Sequence, residues 1–371
     1  MSTDLSLIGR TLVGISLAAG CCIPAYANDI HVCSTCAHKT IQSAVNAAAS
    51  TDRVYVADGR YVENVTVTGK ALEILGVPGR TIVVAAGRGP VFTLGSSTSE
   101  PNGPFPIHMK DLYITGGSHF GGTGQGGAVQ VRPGAYLFIS NSTLTGNQAI
   151  SGGGISITGD PAHVGDPGYQ TTISDCYIHN NTATITASAG GTGGGVAVQS
   201  GRVLIENSNI TENQANEGGG LYEAPAAYHL QINGSFVNQN TAGSWEQPTG
   251  RGGGISAYSG LSTTALVLAQ NWAHGPDGGG GLYFNFNGSS AFGGESWILG
   301  ATVVGNSVET QDEAGGMKLT GSKAIPLMIN DTYVLSNSGA GVLNGVIINA
   351  SNFIVINNAI AQCVGGNGCP N

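Results

Sequence analysis

The sequence predicts an all-β chain, a single-stranded, right-handed parallel β-helix of about eight or nine stacked coils with an N-terminal capping helix. Three observations predict it. Gly supplies 61 of 371 residues, while charged residues make up 9% and aromatic residues 6%, a balance unsuited to helical packing. An apolar-x-x-Asn element recurs eight times. A run of small residues followed by apolar-x-apolar recurs at the same rhythm, and such self-similarity marks a solenoid. With 41% hydrophobic residues the chain can fill a core.

Residues 1–27 read as a signal peptide. Arg10 precedes an apolar run from Leu12 to Ala19, and Ala25-Tyr26-Ala27 offers a small-x-small cleavage site. A lipoprotein reading at Leu17-Ala18-Ala19-Gly20-Cys21 is weaker, because Ala18 lies three before Cys21 and a good later site exists. Export predicts a secreted, periplasmic or cell-surface protein. No other apolar stretch is long enough to span a membrane. Losing Arg10 and Asp4 leaves 12 basic against 21 acidic residues, still −9. That balance excludes a basic nucleic-acid footprint. The expected form is a monomer.

One β-helix domain is expected over 28–371. Thr40 to Ala49 has helical apolar spacing and predicts a cap over about 38–50. Val54-Tyr55-Val56, Val65-Thr66-Val67 and Leu72 to Leu75 read as strands of the first turns of the solenoid. Residues 95–106 and 116–127 read as loops. The repeated Asn residues are Asn147, Asn181, Asn213, Asn240, Asn271, Asn306, Asn337 and Asn358. Stacked in register, they would form a structural ladder of side-chain amides. Six residues before each stands Asn141, Asp175, Asn207, Gly234, Ala265, Gly300, Asp331 or Asn352. Seven of these eight are types that tolerate left-handed backbone. The apolar residues after the small-residue runs are Val129, Ile155, Val196, Leu221, Ile255, Leu282, Met317 and Val342, spaced by 26, 41, 25, 34, 27, 35 and 25 positions. The frame is constant and the loops vary. Propeller blades need about 40–50 residues, longer than the shortest repeats.

A C-terminal cap is expected over about 361–371. Short spacings predict disulfide clips Cys33–Cys36 and Cys363–Cys369, with Cys176 as an unpaired core residue. Asp160, His163 and Asp166 lie beside Pro161 and Pro167 and read as turn residues rather than metal ligands.

These elements resemble a known group. Thr40-Ile41-Gln42, then Val54-Tyr55-Val56-Ala57-Asp58-Gly59-Arg60-Tyr61-Val62-Glu63, is similar to the opening of pectin-lyase-like β-helix proteins. The Gly-Gly-Ala-Val and apolar-x-x-Asn pairing looks like polymorphic outer-membrane protein repeats. The resemblance covers about 38–362. It implies the fold and is nearly silent on chemistry; the expected partner, an extracellular polysaccharide or cell-surface glycan, rests on the outward-facing residues. The paired-Asp motif of polygalacturonases, the Gly-x-x-Asp-Phe-x-x-Gly segment of pectin methylesterases and the Arg-x-Pro-x-x-Arg signature of one pectate lyase family are missing. Fold alone does not fix function.

In a stacked coil, outward residues align into rows. One row reads Gln130, Ser156, Ala197, Tyr222, Ser256, Tyr283 and Lys318, with Tyr258 two residues along. Neighbouring loops add Trp245, Glu246, Arg251, Trp272, His274, Asp277, Glu309, Asp312 and Glu313. Tyr222, Tyr258, Tyr283, Trp245, Trp272 and His274 are candidate sugar-binding residues, because their rings can stack on pyranose faces. If the groove is catalytic, Lys318, Glu309, Asp277 and Arg251 are the candidates for base, acid or charge partner. A lyase would use Glu309, Asp312 and Glu313 to hold Ca²⁺. A hydrolase would pair Glu223 with Asp277 or Glu309. The competing reading is a non-catalytic adhesin or surface and matrix rod.

Overall fold

The computed structural model describes residues 27–364 apart from 101, 123, 185–189, 245–248, 276, 287–295, 310–312, 322–326, 345–347, 357 and 359–362. The signal-peptide segment, Trp245, Glu246, Asp312 and Cys369 therefore lie outside the described residues.

A coil is built as the repeat dictates. In one of them, Ala135–Ser140 forms a strand, Asn141 turns the chain, Thr143–Thr145 forms the second, Gln148–Ala149 a short third and Ile155–Thr158 a fourth. Each strand pairs in parallel with its equivalents above and below, giving four columns, numbered here in that order. Column 2 counts the coils. It holds Gly59–Val62, Thr81–Val84, Tyr113–Thr115, Thr143–Thr145, Tyr177–His179, Asn209–Thr211, Phe236–Asn238, Val267–Ala269 and Thr302–Val304, then the second halves of Leu327–Leu335 and Ile348–Ile356. That makes eleven coils among the described residues. Eight of them carry the repeated Asn. The register puts Asn64, Ala86 and Gly117 at its position in the first three coils; Asn64 is exposed and accepts from Ala86 N at 3.1 Å, outside the interior ladder.

The core lies inside the coils. Ile114, Leu144, Ile178, Ile210, Val237, Leu268, Val303 and Val334 stack as one file of column 2, all nearly inaccessible to water. Each coil alone would expose its apolar side, so stacking and burial are one event. Where column 2 ends, the Asn amides run down the interior. Asn213 donates its backbone N–H and Nδ2 to Asn240 Oδ1 at 3.0 and 3.1 Å, and Nδ2 also to Ile178 O at 2.9 Å. Asn181 donates in the same way to Asn213 Oδ1. The pattern extends from Gly117 N to Asn358 Oδ1. It satisfies a turn that would otherwise bury unpaired backbone.

The turns between columns 1 and 2 are left-handed at all eight expected positions, with φ from +44° at Asn141 to +61° at Gly300. Column 2 closes with a second left-handed residue just before each ladder Asn from Asn147 to Asn337. It is Asn180, Glu212, Gln239, Gln270 and Ser336 in five coils. Composition hides this row, because Glu and Gln do not announce positive φ.

The Gly triplets have a steric cause. A Cβ on Gly194 would sit 2.4 Å from Gly219 O, and one on Gly195 would sit 2.8 Å from Gly220 O and 3.0 Å from Ile210 Cγ2. Backbone packs on backbone there, and any side chain would push the coils apart.

Helix α1 (Ile41–Ala47) covers the first coil. Thr40 caps it, and Glu63 accepts from Ile41 N and Gln42 N at 2.8 and 2.9 Å, satisfying donors that a helix start leaves free. Cys33 and Cys36 are joined beside it. Cys176 is a buried free thiol. It takes one place in an interior file of Ser142, Ser208 and Ser235, whose hydroxyls accept backbone N–H groups from the neighbouring coil. Asp160 and Asp166 accept from Ala162 N and Gly168 N at 2.9 and 2.8 Å, as turn residues do. No described helix is long and apolar enough to cross a membrane.

Candidate functional site

The outer face of column 4 carries the candidate residues. Its register aligns Gln130, Ser156, Ala197, Tyr222, Ser256, Tyr283 and Lys318 as one file. The file is open along only part of its length. Gln130, Ser156 and Ala197 are buried, whereas Tyr222 and Lys318 are half-buried. Tyr283 is only 7% exposed, so it offers little ring face to a ligand.

A second file runs beside the first. The residue before each small-residue triplet stacks with its equivalents, through bridges linking Gln125, Ser151, Thr192, Glu217 and Arg251. Gly278 and Glu313 hold the same place in the next two coils, with Asp277 one residue before Gly278. Ser151 and Thr192 hydroxyls meet at 2.8 Å. Of the following members Glu217, Arg251 and Glu313 are charged, and with Asp277 beside the file their contacts knit both files together. Tyr258 donates its hydroxyl to Glu217, which also accepts from Ser256 Oγ at 3.0 Å. Arg251 donates Nε to Asp277 Oδ2 at 2.6 Å and reaches the Tyr258 hydroxyl at 3.4 Å. Its guanidinium lies 5.6 Å from the Tyr283 ring centroid, within cation–π range. Lys318 donates to Glu313 at 2.7 Å. The rings of Tyr222, Tyr258 and Tyr283 follow one another at 6.0 and 5.8 Å.

Burial and nearby carboxylates hold the Tyr222 and Tyr258 phenols neutral. Burial, with Glu217 and Glu223 nearby, pushes Tyr222 up to about 12. Burial and the carboxylate of Glu217 also raise Tyr258. Neither is poised as a phenolate base near neutral pH.

The other candidates separate. Trp272 and His274 stack on each other at 4.6 Å, but Trp272 belongs to column 3, in a row with Thr241 and Ser307. They are not on the tyrosine file. Glu309 faces His274 at 3.8 Å, while Glu313 is taken by Lys318. Glu309 and Glu313 thus turn to different partners, and no group of three or more His, Cys, Asp or Glu gathers among the described residues. Glu223 alternates with Tyr222 and faces inward, fully buried. It cannot share a groove with Asp277 or Glu309. Glu217 was not among the sequence candidates. Its signal is its place before Gly218, where neighbouring coils put Gln125, Ser151, Thr192 and Arg251.

Stacked parallel columns, an interior Asn ladder and chemistry confined to outward strand faces define a β-helix protein. The chain belongs to the right-handed β-helix family, whose model, a right handed beta helix region, matches residues 107–308. Comparison with curated proteins finds no match. Among solved structures the chain is similar to a pectin methylesterase in complex with a hexasaccharide, at 13% identity and TM-score 0.43 over 74% of this chain and 90% of that one. It is also similar to pectate lyase Pel9A, at 13% and 0.40 over 89% and 79%. A third is PfbA, a surface adhesin of Streptococcus pneumoniae, at 14% and 0.38 over 87% and 86%. These likenesses are of fold.

Proposed function

We propose that this chain is an extracellular protein that binds a polysaccharide along the paired files of column 4, without cleaving it. The observation that carries the reading is the run of charged residues from Glu217 to Glu313 beside Tyr222, Tyr258 and Lys318. Its repeat along the axis suits a linear polymer whose units also repeat. Hydroxyls can exchange hydrogen bonds with Glu217, Arg251 and Asp277, and half-buried tyrosine edges can pack on sugar rings. Cleavage would need a free base or a pair of unsatisfied carboxylates. Here Arg251 and Lys318 are already paired, and the phenols are held neutral.

Affinity gels test this. On gels containing pectate, alginate, xylan or β-glucan, retention on at least one should weaken about fivefold for Tyr222→Ala, the loss of a single ring contact. Unchanged retention would reject the groove. Absorbance of unsaturated uronide on pectate or alginate, with or without Ca²⁺, should not rise; a rise would make the protein a lyase.

A further inference from the structure

The open face of column 2 holds a feature that column 4 does not use. Register pairs Tyr113 with Thr143, Thr143 with Tyr177, Tyr177 with Asn209 and Asn209 with Phe236. Five consecutive rungs therefore read aromatic, polar, aromatic, polar, aromatic. Parallel rungs are about 4.8 Å apart, so the rings recur about every 9.6 Å, close to two pyranose units of an extended chain. Tyr177 is 41% exposed and Phe236 is 49% exposed, more than packing needs and more than the column 4 tyrosines show. The Tyr177 ring is fixed by stacking on His179 at 4.1 Å. Beside Tyr177 the surface sinks into a shallow groove of about 370 Å³, lined by Tyr177, Asn209, Thr211, Glu212, Asn238 and Gln239. Amides and hydroxyls dominate this lining. Its one charge is the carboxylate of Glu212, and no cation lines it.

We infer that this strip is a second binding site, for a linear neutral glycan lying along the helix axis with alternate sugars over Tyr113, Tyr177 and Phe236. Amide and hydroxyl groups match sugar hydroxyls in both directions, while the carboxylate of Glu212 would repel a uronic polymer. The inference does not rest on the column 4 reading, since the two faces share no residue.

The full chain would be run on affinity gels containing hydroxyethylcellulose, galactomannan or linear galactan. At least one gel should retard it. The double variant Tyr177→Ala/Phe236→Ala should bind that glycan about tenfold more weakly at an unchanged thermal midpoint. Tyr177→Phe/Phe236→Tyr, which keeps both rings, should bind as the parent does. Tyr222→Ala should leave this retardation intact, which separates the two sites. No retardation on any of the three gels, or equal retardation of the alanine variant, overturns the inference. So does sedimentation showing a dimer that the alanine variant abolishes while glycans have no effect, since the strip would then be a self-contact.

Discussion

Ala265 is the exception in a row of left-handed turns, holding φ +51° where its equivalents are Asn, Asp or Gly. An L-residue with a Cβ is strained there by roughly 1–2 kcal/mol, partly offset in Gly by extra chain entropy in the unfolded state. Ala265→Gly should therefore stabilise the protein by about 0.5–1 kcal/mol in urea unfolding. Glu223 makes the opposite kind of exception, a carboxyl sealed in the core. Its Oε2 accepts from Ser259 N at 3.1 Å and its Oε1 finds no partner. Burial pushes it up to about 8, against the lowering effect of its backbone hydrogen bonds. The folded chain thus holds a proton that the unfolded chain releases near pH 4.5. Stability from this group is complete below that value and is lost as pH rises through about 8. Relative to Glu223→Gln, the wild-type protein should lose on the order of 5 kcal/mol across that window. Parallel pH profiles of the two proteins would refute the assignment.

At the scale of the element, a coil depends on what it lacks as much as on what it carries. Gly194→Ala adds one carbon where Gly219 O and both backbone polar atoms of Gln214 already stand within 2.6 Å. Overpacking of that kind costs about 3 kcal/mol, so the variant should melt well below the parent or fail to accumulate as soluble protein. The triplets, the Asn residues and the apolar file are legible in the sequence because each has one physical reason for its residue type. The left-handed row at Glu212, Gln239 and Gln270 is not, because neighbouring coils impose that conformation on residues that would not choose it. Glu217 is legible only once coils are aligned. The sequence places Trp272 beside the tyrosines because both belong to neighbouring segments of one coil. A short column and a Gly turn between them send the two side chains to different faces. The inward aim of Glu223 follows from strict alternation after Leu221.

For the whole molecule, stability and the proposed recognition belong to different sides of the same stack. The inside is a set of continuous files, and a change to one rung is felt by the rungs on either side. The outside varies in loop length from coil to coil, because spacing between equivalent apolar residues ranges from 25 to 41 positions while the ladder stays unbroken. Lengthening a flexible loop costs little chain entropy, so new surface can be added without disturbing the frame. The N-terminal end is closed by α1. Farther along, the last described coil leaves Ile354 and Ile356 about 39% and 47% exposed on column 2.

Register has one more consequence. Because Val203 pairs with Leu230, excising residues 203–229 and joining Arg202 to Leu230 removes a single storey and lets Asn181 meet Asn240 directly. The shortened chain should still fold, with a circular dichroism spectrum like that of the parent. Yet Tyr177 would now be the immediate neighbour of Phe236, and the two-step beat of rings would be lost. A solenoid can therefore be shortened without being unfolded and still be put out of phase with its ligand. Intact structure with lost neutral-glycan retention is the expected outcome.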